Sequence, residues 1–246
     1  MSGIWATLKR ELRAYFFSPM AYVVAAFLLV VNGIVFSIIV SYLADPRFPA
    51  GRPLDYFFGG TWLFWLVLIF VAPVLTMRLI SEERRSGSIE VLMTAPVTET
   101  QVVLGKYGAA LSFYVFLWLP TLIYAVLVDV YSDIDWWTVA AGYLGILGIG
   151  AMFLAAGMLA TALSRSQLVA AMITFALLFG FFSVVFLEGL VNSDLGREIT
   201  SYLSVRQQMQ DFSMGIVDTR HLVFDLSMTV FFLFLTSRAL AAKKWR

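Results

Sequence analysis

Few residues of this 246-residue chain could do chemistry. The nearest thing to a phosphate-binding loop is Gly105-Lys106, because in such loops backbone N–H groups cradle phosphates and a lysine reaches them. It fails twice. Tyr107 stands where Ser or Thr should be, and Thr100 stands where the leading glycine should be. His221 is the single histidine, with no His or Cys beside it, and reads as a polar surface residue at a helix end. The absence of cysteine excludes disulfides, thiolate catalysis and Cys-ligated metals. No nucleophile–base set is visible, so the chain is expected to be no enzyme and to carry no cofactor or metal of its own. What remains is charge gathered in one stretch, Arg78–Lys106, with Glu82, Glu83, Arg84, Arg85 and Glu90 close together. The chemistry open to that stretch is polar contact with another protein.

The elements that position it are apolar. Hydrophobic residues make up 61% of the chain and charged ones 13%. The mean hydropathy is +0.86. A soluble domain carries about a quarter charged residues, so this is a membrane protein. Apolar runs long enough to cross a bilayer place six spans near 20–43, 58–80, 104–128, 138–163, 168–190 and 221–241. The net charge of +1 points to no acidic or nucleic-acid partner. Its distribution says more. Lys9, Arg10, Arg13, Arg78, Arg84, Arg85, Lys106, Arg165, Arg238, Lys243, Lys244 and Arg246 fall on one side, and they are 12 of the 17 basic residues. The positive-inside rule then puts both termini and Arg78–Lys106 in the cytoplasm.

Ahead of the first span, residues 1–18 read as an amphipathic helix in the interface. Ile4, Trp5, Leu8, Leu12, Tyr15 and Phe16 fall on one side, with Lys9, Arg10 and Arg13 opposite. Ser18-Pro19 marks the corner into the membrane. Between spans five and six, Ile199, Tyr202, Leu203, Met209 and Phe212 stand among Arg206, Gln207, Gln208 and Asp211, which predicts a second amphipathic helix on or dipping into the outer leaflet. Trp136, Trp137 and Trp245 suit interfacial belts.

Ionisable residues are nearly absent from the spans. Glu188 and Asp225 are expected near outer ends and Arg78 near an inner end, so an ion-driven carrier is disfavoured. Asn32 is the one strongly polar residue midway along a span, and reads as interhelical hydrogen-bond glue before a substrate ligand. Pro73 and Pro120 interrupt spans two and three, as static kinks or as a bending gate. Gly142, Gly145, Gly148, Gly150 and Gly157 predict tight packing of span four, within one subunit or between two.

The punctuation of Arg78–Lys106 predicts helix, break, short helix, break, helix. Gly87 breaks the emerging helix, and Ser88 caps Ile89–Thr94 with Glu90 in its first turn. Pro96 ends that piece, and Thr98 with Gln101 forms a capping box for the next.

Glu82-Glu83, Gly87-Ser88-Ile89-Glu90, Leu92, Pro96 and Gly105-Lys106 resemble the pattern EE…G(S/T)xE…L…P…GK of ABC-2-type permeases, the membrane subunits of ABC transporters. Tyr202-Leu203-Ser204, Phe212, Gly215, Asp218-Thr219 and Lys244-Trp245 resemble the gliding-motility branch of that family. The resemblance implies one all-α transmembrane domain over 1–246, with an N-terminal elbow helix and a cytoplasmic coupling helix between spans two and three. It implies two permease copies, or a copy and a paralogue, in the cell (inner) membrane with two cytoplasmic ABC ATPases that bind ATP and Mg. ATPase closure would push on Ser88–Ala95, where Ile89, Leu92 and Met93 anchor and Glu82, Glu83 and Glu90 brace, and would move spans one, two and five. The function implied is ATP-driven export. The alternative is a mechanotransmission or scaffold subunit that drives an extracytoplasmic accessory protein without moving a substrate.

Overall fold

The computed structural model describes residues 2–44, 53–85, 98–188, 200 and 202–244. Among these, six helices are long and apolar enough to cross a membrane. Helix α1 (Ser2–Phe16) precedes them, and Ser18 with Pro19 at the first helical position turns the chain into α2 (Pro19–Leu43), the first span. The second span is α3 (Trp62–Thr76) running on through one turn into α4 (Ser81–Arg85). The third is α5 (Glu99–Trp118) and α6 (Leu122–Tyr131), joined by a 3-10 turn at Leu119–Thr121. Helices α7 (Trp136–Leu163), α8 (Gln167–Glu188) and α10 (Thr219–Lys244) are spans four, five and six, with α9 (Val205–Ser213) between the last two.

Six crossings put α1, the ends of α3 and α4, the start of α5 and the end of α10 on one face, called here the terminal face. The opposite face carries α9 and the start of α7.

Helix α7 is the hub. Its glycines leave room for neighbouring side chains, and each slot is filled from a different direction: Phe58 over Gly142, Phe212 over Gly145, Asp225 over Gly148, Tyr114 over Gly150 and Thr76 over Gly157. A Cβ at Gly150 would lie 2.3 Å from the Tyr114 ring. This is small-residue packing used up within one subunit.

Three expectations need correction. Span two begins at Trp62, not at 58, because Pro53–Asp55 and a π-type turn at Tyr56–Gly60 fold back and bury Phe57 and Phe58. Gly59 makes this possible with φ at +91°, a backbone that side chains rarely adopt; its carbonyl accepts from Trp65 Nε1 at 3.0 Å. Helix α9 does not rest its apolar face in lipid. Val205, Met209 and Phe212 pack into the protein, chiefly onto α7, and Gln208 is buried with them. His221 is buried too, at 8% exposure, not a surface residue.

The two prolines differ. Pro120 sits in the 3-10 turn, where Thr121 Oγ1 donates to the Trp118 carbonyl at 2.6 Å and meets Tyr143 Oη at 2.8 Å. Pro73 lies inside α3, which continues for three residues to Thr76 before handing over at Met77.

Candidate functional site

The site is built where α1 crosses α5. Gly105 lets the two backbones approach: a Cβ there would stand 2.7 Å from Thr7 Cβ and 3.0 Å from the Ile4 carbonyl oxygen. Farther along, the Tyr15 and Phe113 rings stack with centroids 5.0 Å apart, and Phe16 meets Phe113 and Phe116 edge-on. The face that α1 turns to the bundle therefore includes Ile4, Thr7, Leu8, Glu11 and Tyr15. Trp5, on the apolar side of the expected interfacial helix, is exposed and does not pack into the bundle.

This crossing brings Lys106 under α1. Its side chain is 1% exposed, and Nζ lies 2.9 Å from Glu11 Oε1 and 2.9 Å from Glu83 Oε1. Arg10 closes the figure from the water side, with Nη2 2.7 Å from the same Glu11 oxygen and 2.8 Å from the same Glu83 oxygen. Two cations thus share two carboxylates in a neutral four-membered ring that ties α1, α4 and α5 together. A lysine this deeply buried is tolerated because it is paired and hydrogen-bonded. Burial alone would raise the Glu11 pKa, but Lys106 and Arg10 outweigh it and hold the carboxyl below its ordinary range. Burial opposes the charged form of Arg10, but the Glu11 and Glu83 carboxylates outweigh it and raise its pKa. Tyr15 Oη donates to the Leu75 carbonyl at 2.7 Å; burial, and secondarily the Glu11 charge, pushes this hydroxyl well above the usual tyrosine range.

The end of span two is fastened on its other side as well. Ser81 N–H donates to Thr161 Oγ1 at 3.1 Å, and both the Thr161 and Ser81 hydroxyls donate to the Met77 carbonyl. At the start of α5, Thr98 Oγ1 accepts from Gln101 N–H and Gln101 Oε1 accepts from Thr98 N–H, the capping box that the sequence predicts. The chain is anchored at both edges of 86–97.

Of the residues expected to contact an ATPase, Glu83 sits in the ring. Glu82 lies outside it, paired with Arg78 at 3.2 Å on the surface. Gly87, Ser88, Ile89, Glu90, Leu92, Met93 and Pro96 lie outside the described residues. Asn32 is buried and donates to the Leu28 carbonyl of its own helix at 2.9 Å, so its hydrogen bond is intrahelical, unlike the expected interhelical glue. Pro73 and Pro120 stand apart from the ring. Sequence reasoning missed Lys106 and Glu11 as partners; the signal was a glycine beside a lysine at the start of an apolar helix, and an acid amid the basic residues of α1.

A second polar cluster lies on the opposite face. His221 Nε2 meets Asp211 Oδ2 at 2.8 Å, and Gln208 Nε2 donates to Asp225 Oδ2 at 2.7 Å and to the His221 carbonyl at 3.3 Å. Asp225, seven residues into α10, is buried, and its Oδ1 has no hydrogen-bond partner among the described residues. The cluster pins α9 to α10 over the gap left by Gly148.

The ion pairs thus brace the helix ends on both sides of residues 86–97, on a bundle with six helices long and apolar enough to cross a membrane. No curated protein matches the sequence. The family model described as ABC-2 family transporter protein matches residues 36–244. That is well over half of the chain, and it takes in every span except the first two thirds of α2. The chain belongs to the ABC-2 family of transporter proteins.

Proposed function

We propose that this chain is the permease subunit of an ATP-driven ABC exporter and that its terminal face is cytoplasmic, in the cell membrane, with both termini inside. ATP and Mg bind to a separate ATPase, two copies of which serve a pair of permeases. The ATPase docks on Ser88–Ala95 through Ile89, Leu92 and Met93, with Glu90 in the polar rim. The observation that carries this reading is the ring of Arg10, Glu11, Glu83 and Lys106. It fixes both edges of the docking segment to α1 and to spans two and three, so a push on the segment moves these elements together. That route adds span three to the path of spans one, two and five that the family resemblance implies.

Leu92→Ala with Met93→Ala tests the reading. Truncating a central anchor of an interface commonly costs about 2 kcal/mol or more. The double variant is expected to insert and fold but to lose ATPase association in co-purification, while Asp133→Lys on the opposite face leaves association intact. Normal association and normal permease-stimulated ATP hydrolysis in the double variant would overturn the assignment.

A further inference from the structure

Beside the ring, α1, the start of α2 and the end of α3 enclose a cavity of about 470 Å³. Its lining is divided. Toward the spans it is apolar, with Met20, Ala21, Val24 and Val74; toward the terminal face it is charged, with Arg78 and Glu82 beside Arg10. A volume of this order holds a small-molecule ligand or one lipid chain with part of its headgroup. The charged lining residues belong to α1 and the terminal-face end of span two, where the chain leaves the apolar spans, so they stand at the level expected for lipid headgroups.

The charged half has a definite character. Lys106, Glu11 and Glu83 are committed to one another and buried under Arg10. The solvent-exposed charges of the lining are Arg10, which caps the ring and is 53% exposed, and the Arg78–Glu82 pair at 3.2 Å, 43% and 51% exposed. Guanidinium N–H groups match phosphate oxygens, and a carboxylate accepts from a primary amine. We propose that the cavity binds one phospholipid of the terminal-face leaflet whose headgroup carries both a phosphate and a primary amine. The acyl chain lies between Val24 and Val74, the phosphate meets Arg78 and Arg10, and the amine meets Glu82. The bound lipid then wedges α1 against spans one and two beside the ring. This site stands on the membrane placement of the bundle and needs no ATPase.

The test uses the full chain in mixed micelles with equal amounts of ethanolamine, choline and glycerol phospholipids of identical chains, read by native mass spectrometry. The wild type is expected to retain one ethanolamine lipid per chain, about threefold to tenfold in preference to the others, the range for one charge-assisted hydrogen bond at a partly exposed site. Arg78→Gln lowers retention of all three lipids. Val24→Trp, which fills the apolar half, does the same. Glu82→Gln abolishes the preference for ethanolamine over both choline and glycerol, because neither a quaternary ammonium nor a glycerol headgroup offers the ammonium N–H that the carboxylate accepts. Arg78 and Glu82 are surface residues, so both variants keep the fold. Equal retention of the three lipids by the wild type, preference for the glycerol lipid, or unchanged retention in Arg78→Gln would overturn the proposal. Because the measurement uses the permease alone, its failure leaves the ATPase reading standing, and failure of ATPase docking leaves the lipid result standing.

Discussion

Helix α1 lies on the terminal face of the bundle and α9 on the opposite face, and the two are held by different physics. On the terminal face α1 is fastened by full charges, two cations on two carboxylates, at the edge of water. On the opposite face α9 is fastened by its apolar side, by the Gln208 amide on the buried Asp225 carboxylate, and by a single Asp211–His221 contact at 2.8 Å. Charges at a wet edge give a joint that is stiff yet can exchange partners. An amide–carboxylate contact inside a packed core offers no such exchange, since any broken group would stay unsatisfied. Under the function proposed above, the contrast assigns the entry of force to α1, α4 and α5, while α9 stays packed against α7 and α10.

The largest expected effect comes from removing the central cation. Lys106→Met leaves Glu11 and Glu83 facing each other with Arg10 alone between them. Breaking a buried pair costs about 3–5 kcal/mol, and partial exposure of the carboxylates brings this to about 2–3 kcal/mol. Thermal unfolding in detergent measures it. A loss no larger than that of an exposed charge change, such as Arg238→Gln, would remove the distinction between the faces.

The opposite face breaks by volume. Gly145→Ala places a methyl 2.7 Å from the Phe212 ring and 2.9 Å from Phe212 Cβ, which anchors α9. Overpacking of this kind costs about 1–3 kcal/mol. Gly180→Ala is the control, because a Cβ there meets nothing within 4 Å; it is expected to be neutral or to stabilise slightly, alanine being the better helix former by about 1 kcal/mol. Unfolding temperatures of the two variants, compared with the wild type, decide whether α7 is as tightly slotted as its glycines show.

The contrast between the faces traces back to what the sequence could and could not show. The spans were legible because hydropathy acts over about twenty residues and tolerates local error. The Thr98–Gln101 box and the Ser18-Pro19 corner were legible because capping is a local interaction. The ring was not. Glu11, Glu83 and Lys106 are far apart in the chain, and only the close approach at Gly105 makes them neighbours. Asp225 escaped for the same reason: six residues beyond the helix start reads as an outer end until α9 covers it. The fold-back at Gly59 was hidden inside an apolar run, where hydropathy cannot tell a turn from a helix.

The smallest effect is acid sensitivity, and it belongs to the terminal face. The Glu11 carboxyl is held below the ordinary glutamate value of about 4.3. A lowered folded-state pKa contributes stability that is fully present above the unfolded value and is lost as pH falls through the folded one. The unfolding temperature of the wild type should therefore exceed that of Glu11→Gln by a constant amount near neutrality, with the gap closing only below about pH 4. A gap that closed above pH 6 would place the titrating group elsewhere.

Whether the ring acts as one unit is decided by a double-mutant cycle on Lys106 and Glu83, read as thermal stability. Lys106→Met alone leaves an excess of negative charge in a buried place, and adding Glu83→Gln removes that excess while Arg10 keeps Glu11. The double variant should be more stable than Lys106→Met alone, with a pairwise coupling of about 1 kcal/mol or more. Losses that simply add, to within about 0.5 kcal/mol, would contradict a shared ring and leave Lys106 and Glu83 as independent residues.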